Sequence, residues 1–470
     1  MKTKKLFMLL AALVVSAGMT IRAQETVVTI DGLRYMFYDG SASSSAIFCG
    51  IAAGYEFTDV EVPASVTYNG CECPVYRIER DALRGHKEIR SIHLPETISQ
   101  ISDDAFNGCT NLEEFNIPAR VSLLGSNVFE GTAWLSRQPA GLVKKDNVVI
   151  TWKGGSPADG ELWIEDGIRL IAKRAFNKKA QIHTVYIPAS VQDIGDYAFL
   201  GCGLREVHLS TPVVEGWFRS LPIQKVVLEE GVTVVTPQAF GFCSMIEDVV
   251  FPKSLRYLSS TAFCQTDWYS RLRQESSDII YINDIAFTYG KQVPEDAVLK
   301  VREGTRVIAG HAFSYCKNVA KMDLPEGMEV IGESAFWASN LTEIKLPSTV
   351  TDIKIDALSA DEAVTIVSDI TEPKDLPDDT FSDSFVKLAT LSVPENTATL
   401  YRQCEGWRRF AHIIERTTDG IQTPSLNAIP STQSPFDLSG RRLSVPSTSS
   451  VPSVLPKGIY IEDGKKKVRN

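Results

Sequence analysis

The sequence predicts a repeat solenoid built on short stacked β-strands, and three observations predict it. An Ala-Phe pair recurs at Phe106, Phe176, Phe199, Phe240, Phe263, Phe313 and Phe336, with Leu83, Phe129 and Leu358 in the equivalent places. The steps 83→106, 106→129, 176→199, 240→263 and 313→336 are each 23 residues long. Seven segments carry apolar residues at their first, fourth and sixth positions: IRSIHLP (89–95), LEEFNIP (112–118), IHTVYIP (182–188), LREVHLS (204–210), IEDVVFP (246–252), VAKMDLP (319–325) and LTEIKLP (341–347). Periods of about 20–29 residues with such positions mark leucine-rich repeats.

Alternate side chains of a strand point to opposite faces. Phe115 and Ile117 therefore point inward, and Glu114 and Asn116 outward. Further apolar residues follow the proline, Ile98 and Ile101 in one repeat and Val191 and Ile194 in another. The Phe then closes the core from the convex side, leaving a parallel β-sheet on the concave face. One repeat cannot bury this many apolar groups alone, so stability comes from stacking on its neighbours.

Composition sets the outer bounds. The 470 residues are 44% apolar and 23% charged, as in folded chains. Length alone suggests about three domains, but the period argues for one array. The formal charge of −10 becomes −14 once residues 1–23, with Lys2, Lys4, Lys5 and Arg22, are set aside. An acidic chain without a basic cluster before its last residues does not suit nucleic acid, since phosphate binding needs grouped Lys and Arg.

In chain order, residues 1–23 read as a cleavable signal peptide. Three lysines precede the 14-residue apolar run Leu6–Met19, and Ala23 supplies a small residue for cleavage. This run is the only one approaching membrane length, so no transmembrane span is expected in the mature chain. Residues 24–77 alternate apolar and polar, with D-G and N-G turns, and predict an N-terminal β cap. The repeats occupy 78–384, interrupted by islands near 132–166 and 266–302. Each island follows a similar motif, Phe129 to Trp134 and Phe263 to Trp268, and each contains a predicted hairpin, GLVKKDNVVITWKGG and SSDIIYINDIAFTYG. A third irregularity, Leu209 to Val235, reads as a shortened repeat lacking its Ala-Phe, with Trp217 expected in the empty Phe position. Residues 385–416 predict a strand-plus-helix cap, ATLSVP as the final strand and Leu400, Cys404, Trp407 and Ile414 at helical spacing. Residues 417–470 are a Ser/Pro-rich linker carrying the short pieces FDLSGRRL (436–443) and LPKGIYIEDGKKKVRN (455–470).

The signature I-G-x-x-A-F-x-x-C, as in Ile194–Cys202, with L-x-x-I-x-I-P-x-x-V, as in Leu341–Val350, resembles the BspA-like leucine-rich-repeat surface proteins over about residues 25–416. The resemblance implies surface adhesion with partners that differ among members. The pieces after Thr417 resemble sorting domains of the type IX secretion route, which implies export to the cell surface or beyond.

Cys109, Cys202, Cys243 and Cys316 each stand three residues after a repeat Phe, which makes them buried packing thiols rather than bridges. Cys49 is left free to pair with Cys71 or Cys73. The six histidines, His86, His93, His183, His208, His311 and His412, assemble no catalytic set. No HExxH, GxSxG, P-loop or paired Cys-x-x-Cys motif is present. No metal, cofactor or enzymatic activity is expected.

What remains is the outward face of the strands. Its expected ligand-binding residues are Glu114, Asn116, Thr184, Tyr186, Glu206, His208, Asp248, Asp323 and Lys345. The function this predicts is adhesion to a host or bacterial surface protein. The alternative is a glycan-binding accessory protein taking a neutral glycan, for which Trp152, Trp163 and Tyr289 in the islands are the aromatic candidates. A secreted enzyme ranks third.

Overall fold

The computed structural model describes residues 25–38, 45–291, 293–295, 297–360 and 363–416, and the backbone of strands Gln422–Thr423, Gly458–Glu462 and Lys465–Arg469. The expected signal segment and the FDLSGRRL piece lie outside the described residues, as does nearly all of the linker.

Each repeat contributes a longer strand, a two-residue strand and a turn around the Phe. The longer strands are the proline-aligned segments, paired in parallel. Asp59–Glu61, Ser91–His93 and Glu114–Phe115 make one sheet, and Glu161–Trp163, Thr184–Ile187, Glu206–Leu209, Lys225–Leu228 and Asp248–Val250 a second. The third runs from Ala297–Lys300 through Val319–Asp323, Glu343–Leu346, Thr365–Ser368 and Thr390–Val393 to His412–Arg416. A single sheet was the expectation from sequence. The structure divides it into three because each island intervenes between consecutive strands.

The two-residue strands form a further parallel ladder that the sequence suggested only as core positions. Gln100–Ile101 pairs with Leu123–Leu124, and Leu170–Ile171 with Asp193–Ile194. Val213–Val214, Val234–Val235 and Tyr257–Leu258 form a separate group.

The turn is held by backbone hydrogen bonds from one repeat to the next. The N–H groups of Asp104, Phe106 and Gly108 donate to the carbonyls of Ser126, Val128 and Glu130, at 2.9, 3.1 and 2.8 Å. Directing all three amides the same way requires left-handed backbone two residues before and after the Phe. Gly108 and Gly131 meet this at φ of 75° and 74° without a Cβ penalty. A Cβ on Gly131 would also come within 3.4 Å of the Gly108 Cα.

The Phe side chains stack through the core. Ring centroids are 5.2 Å apart for Phe176–Phe199, 5.5 Å for Phe199–Phe218 and 6.0 Å for Phe218–Phe240, with planes within 18° of parallel. Phe218, not Trp217, therefore fills the position left empty by the shortened repeat. Phe218 is fully buried, whereas Trp217 is only half-buried beside it.

The islands are built alike. Helix Ala133–Arg137 is capped by Thr132 and helix Asp267–Glu275 by Thr266, each hydroxyl accepting a backbone N–H. A bulged antiparallel hairpin follows each, Gly141–Lys145 with Val148–Lys153 and Ile279–Ile282 with Ile285–Tyr289. Past the first island the chain rejoins the repeat it left. The Lys173 N–H donates to Leu124 O (2.9 Å), while Ala172, the counterpart of Gly195, donates to Val149 O of the hairpin (2.8 Å). Arg169 donates to the carbonyls of Pro118 and Val121 across the same junction. Past the second, Ser260 N–H donates to Gly310 O (2.8 Å).

At the N-terminal end, Glu25–Ile30, Leu33–Tyr38 and Ala46–Ile51 form an antiparallel meander. Its last strand pairs in parallel with Cys71–Ile78 and so joins the two-residue ladder. At the other end the expected single helix is shorter. Ala398–Gln403 is α-helical and Trp407–Arg409 is a 3-10 turn, while Ile414 lies in strand His412–Arg416, which pairs beyond Thr390–Val393. Thr390–Val393 is thus not the last strand. Tyr401 and Trp407 are buried and Leu400 is exposed. No helix among the described residues is long and apolar enough to cross a membrane.

Candidate binding face

The five-stranded sheet sets two outward columns in strict register. One runs Glu161, Thr184, Glu206, Lys225, Asp248, and the other Trp163, Tyr186, His208, Val227, Val250. Parallel pairing holds equivalent residues one strand spacing apart, about 4.8 Å, which is close to the spacing at which planar rings stack. Trp163 lies on Tyr186 with centroids 3.5 Å apart and planes 8° from parallel. Tyr186 in turn lies on His208 at 4.5 Å and 24°. Trp163, at the edge of the sheet, is 60% exposed.

Charges frame these rings. His208 sits between two carboxylates, its Nε2 3.0 Å from Glu206 and its Nδ1 3.0 Å from Glu229. Lys225 reaches Glu206 at 2.9 Å. That hydrogen bond, with help from His208, holds the Glu206 carboxyl below its usual range and raises the Lys225 ammonium. Burial, and then the carboxylates of Glu161, Glu206 and Glu229, push the Tyr186 phenol up. The result is a rigid aromatic strip edged by carboxylates.

Of the residues expected on this face, Tyr186, Glu206, His208 and Asp248 fall on it together. Thr184 shares their sheet but is buried, and so presents little to a partner. Glu114 and Asn116 belong to the first sheet, where the Asn116 amide is spent bridging the N–H and C=O of Leu94, both at 2.8 Å. Asp323 and Lys345 belong to the third sheet, Lys345 paired with Asp369 at 3.1 Å.

Sequence reasoning placed Trp163 in an island rather than beside Tyr186, and passed over Glu161, Lys225 and Glu229. The signal was available. Glu161-Leu-Trp-Ile-Glu165 and Lys225-Val-Val-Leu-Glu229 match the strand pattern, with Glu where other repeats have Pro. Of the other island aromatics, Trp152 is half-buried and donates its indole N–H to Gly155 O. Tyr289 is half-buried between Phe313 and the Arg273 guanidinium, 4.5 Å from its ring centre.

Among the described residues no group of His, Cys, Asp and Glu could hold a metal ion. The buried repeat thiols are poor nucleophiles. Burial pushes Cys109 up to about 12 and Cys202 and Cys243 up to about 11. Burial also lowers the pKa of His311. Cys49, Cys71 and Cys73 are free, so the bridge left open by the sequence does not form.

Parallel strands stacked repeat upon repeat, with a Phe turn and a two-residue ladder, define a leucine-rich-repeat protein. The family model "BspA type Leucine rich repeat region" matches six copies over residues 57–138, 169–294 and 297–404, and the chain belongs to that family. No curated protein matches the chain.

Several solved structures show a likeness, among them the following three. A leucine-rich cell surface protein from Faecalibacterium prausnitzii is 19% identical, with a TM-score of 0.27, over 86% of this chain and 99% of that one. A leucine-rich repeat protein from Bacteroides ovatus is 20% identical, TM-score 0.26, over 83% and 100%. The pneumococcal vaccine antigen PcpA is 13% identical, TM-score 0.23, over 84% and 99%.

Proposed function

We propose that the protein is an exported, non-catalytic surface protein whose roughly 23-residue repeats form a solenoid, and that it binds a host or bacterial surface protein on the concave face. Export rests on the charged and apolar pattern of residues 1–23, and the tail after Thr417 suits type IX sorting. The observation that carries the binding reading is the Trp163–Tyr186–His208 ring column. Aromatic side chains pre-ordered by stacking lose little freedom on binding and dominate protein interfaces. Because the rings stack face to face along the sheet, they offer mainly edges, which suits side-chain packing. A neutral glycan on the same face is the second reading, favoured by the exposure of Trp163.

The test is binding of the purified protein to immobilised matrix proteins, bacterial surface proteins and glycans. Wild type is compared with a folded Trp163→Ala, Tyr186→Ala, His208→Ala variant. Loss of binding by this variant supports the reading. Undiminished binding moves the site elsewhere, and the absence of any surface ligand removes the adhesion reading.

A further inference from the structure

The shortened repeat opens a groove on the turn side of the array. Ile187 and Phe199 are 12 residues apart and so are Leu228 and Phe240, but Leu209 and Phe218 are only 9 apart. The longer strands remain paired through this repeat. The two other ladders separate. Asp193–Ile194 does not pair with Val213–Val214, which belongs to a different sheet. The turn ladder opens at the same place. Arg174, Phe176 and Lys178 donate to the carbonyls of Asp196, Ala198 and Leu200, and Gln238, Phe240 and Phe242 to those of Thr261, Ala262 and Cys264. The corresponding N–H groups of Tyr197, Phe199 and Gly201 make no such bond to the repeat that follows.

Between these parted walls lies a groove of about 610 Å³. Asp193, Asp196 and Tyr197 line one side and Glu215, Trp217 and Arg219 the other. The Trp217 indole nitrogen is buried without a hydrogen bond of acceptable geometry, although its N–H is close enough to the Asp193 carboxylate to favour the ionised form. Burial nonetheless leaves that carboxyl above its usual range. Tyr197 is 58% exposed and held in left-handed backbone, φ 59°. Asp104, Asn127, Arg174, Gln238, His311 and Ser334 take the same place and the same backbone in other repeats. The Arg174 guanidinium lies over the Tyr197 ring, 5.7 Å from its centre.

We infer that this groove binds a neutral saccharide. Three features converge on that class of ligand. The row of open backbone donors requires acceptor oxygens. The carboxylates of Asp196 and Glu215 require donors. Tyr197 and Trp217 offer apolar surface to the C–H groups of a sugar ring. Hydroxyls are the groups that donate and accept at once, and three carboxylates against Arg219 and the flanking Arg174 leave the groove net acidic, which disfavours a sulfated or acidic glycan. The site is separate from the proposed protein-binding face and does not depend on it.

The test titrates the purified protein with neutral tetrasaccharides of glucose, mannose, galactose and xylose. A heparin tetrasaccharide and an uncharged decapeptide serve as comparators, and calorimetry and tryptophan fluorescence as readouts. At least one neutral sugar is expected to bind. Tyr197→Ala and Trp217→Phe are expected to weaken it about tenfold or more, with thermal midpoints near wild type. Trp163→Ala should leave it unchanged. The inference is overturned if no neutral sugar binds or if heparin or the decapeptide binds better. It is equally overturned if both groove variants bind as wild type, or if Trp163→Ala abolishes binding.

Discussion

The thiol of Cys243 donates to the carbonyl oxygen of Phe218 at 2.9 Å. The same bond joins Cys109 to Leu83 at 2.9 Å and Cys202 to Phe176 at 3.2 Å. Each Cys thus closes the turn of its repeat onto the Phe position of the repeat before. This geometry identifies Phe218 as the missing member of the Phe series, and it accounts for a free Cys in a packing position.

Phe218 should therefore matter more to stability than its larger neighbour. Phe218→Ala is expected to cost about 3–5 kcal/mol. Trp217→Phe should cost less, because Trp217 is only half-buried and keeps part of its ring contact as Phe. Urea unfolding of the two variants decides this, and a larger loss for Trp217→Phe would return the position to Trp217.

Thiol labelling should follow burial. Cys71 is exposed and should react first with a disulfide reagent at pH 8. Cys73, Cys109, Cys202, Cys243 and Cys316 are buried and should react only after denaturation. The raised pKa values of Cys109, Cys202 and Cys243 keep the thiolate scarce at that pH. Native labelling of Cys243 as fast as Cys71, detected by mass spectrometry, would contradict the assignment.

Asp103 links the two sides of the first island. Its carboxylate accepts from Lys173 (3.1 Å), Arg80 (2.6 Å) and both the N–H (2.8 Å) and hydroxyl (3.1 Å) of Ser126. Burial pushes its pKa up, but Ser126 and Lys173 outweigh this and the net shift is down. A depressed carboxyl pKa stabilises the fold fully above the ordinary Asp value of about 3.9. That stabilisation is lost as pH falls through the lower folded-state value. Asp103→Asn should cost about 1–2 kcal/mol at pH 7 and less at strongly acid pH. Thermal midpoints of both proteins across the acid range check the sign, and a constant difference at every pH would refute it.

The second island's helix starts at a buried cap. The Thr266 hydroxyl accepts from Tyr269 N–H (3.1 Å) and donates to Phe263 O (2.8 Å). Thr266→Ala should destabilise by about 0.5–2 kcal/mol, and Thr266→Ser should recover most of the loss. A serine variant as unstable as the alanine variant would mean that the methyl group, and not the hydroxyl, is what the site needs.

What the sequence by itself determined was everything that repeats. The Phe series, the apolar positions of the strands and the recurrent cysteines are local patterns, and stacking has a use for each in every repeat. It also exposed both islands, because their paired motifs interrupt a known period. Only the tertiary structure decided what happens where repeats are unequal. Glu165 and Glu229 stand where proline was the marker, so two strands that keep the apolar pattern lost their signpost, and only their pairing set Trp163 on Tyr186. The island hairpins cut the sheet into three because they take up room between consecutive strands. The shortened repeat keeps its longer strand paired but cannot span the distance to its other two ladders, and that misfit makes the groove. Ile414, read as helical from its spacing, is a strand residue because the open edge of Thr390–Val393 offers its backbone the hydrogen bonds that an added helical turn would otherwise have supplied.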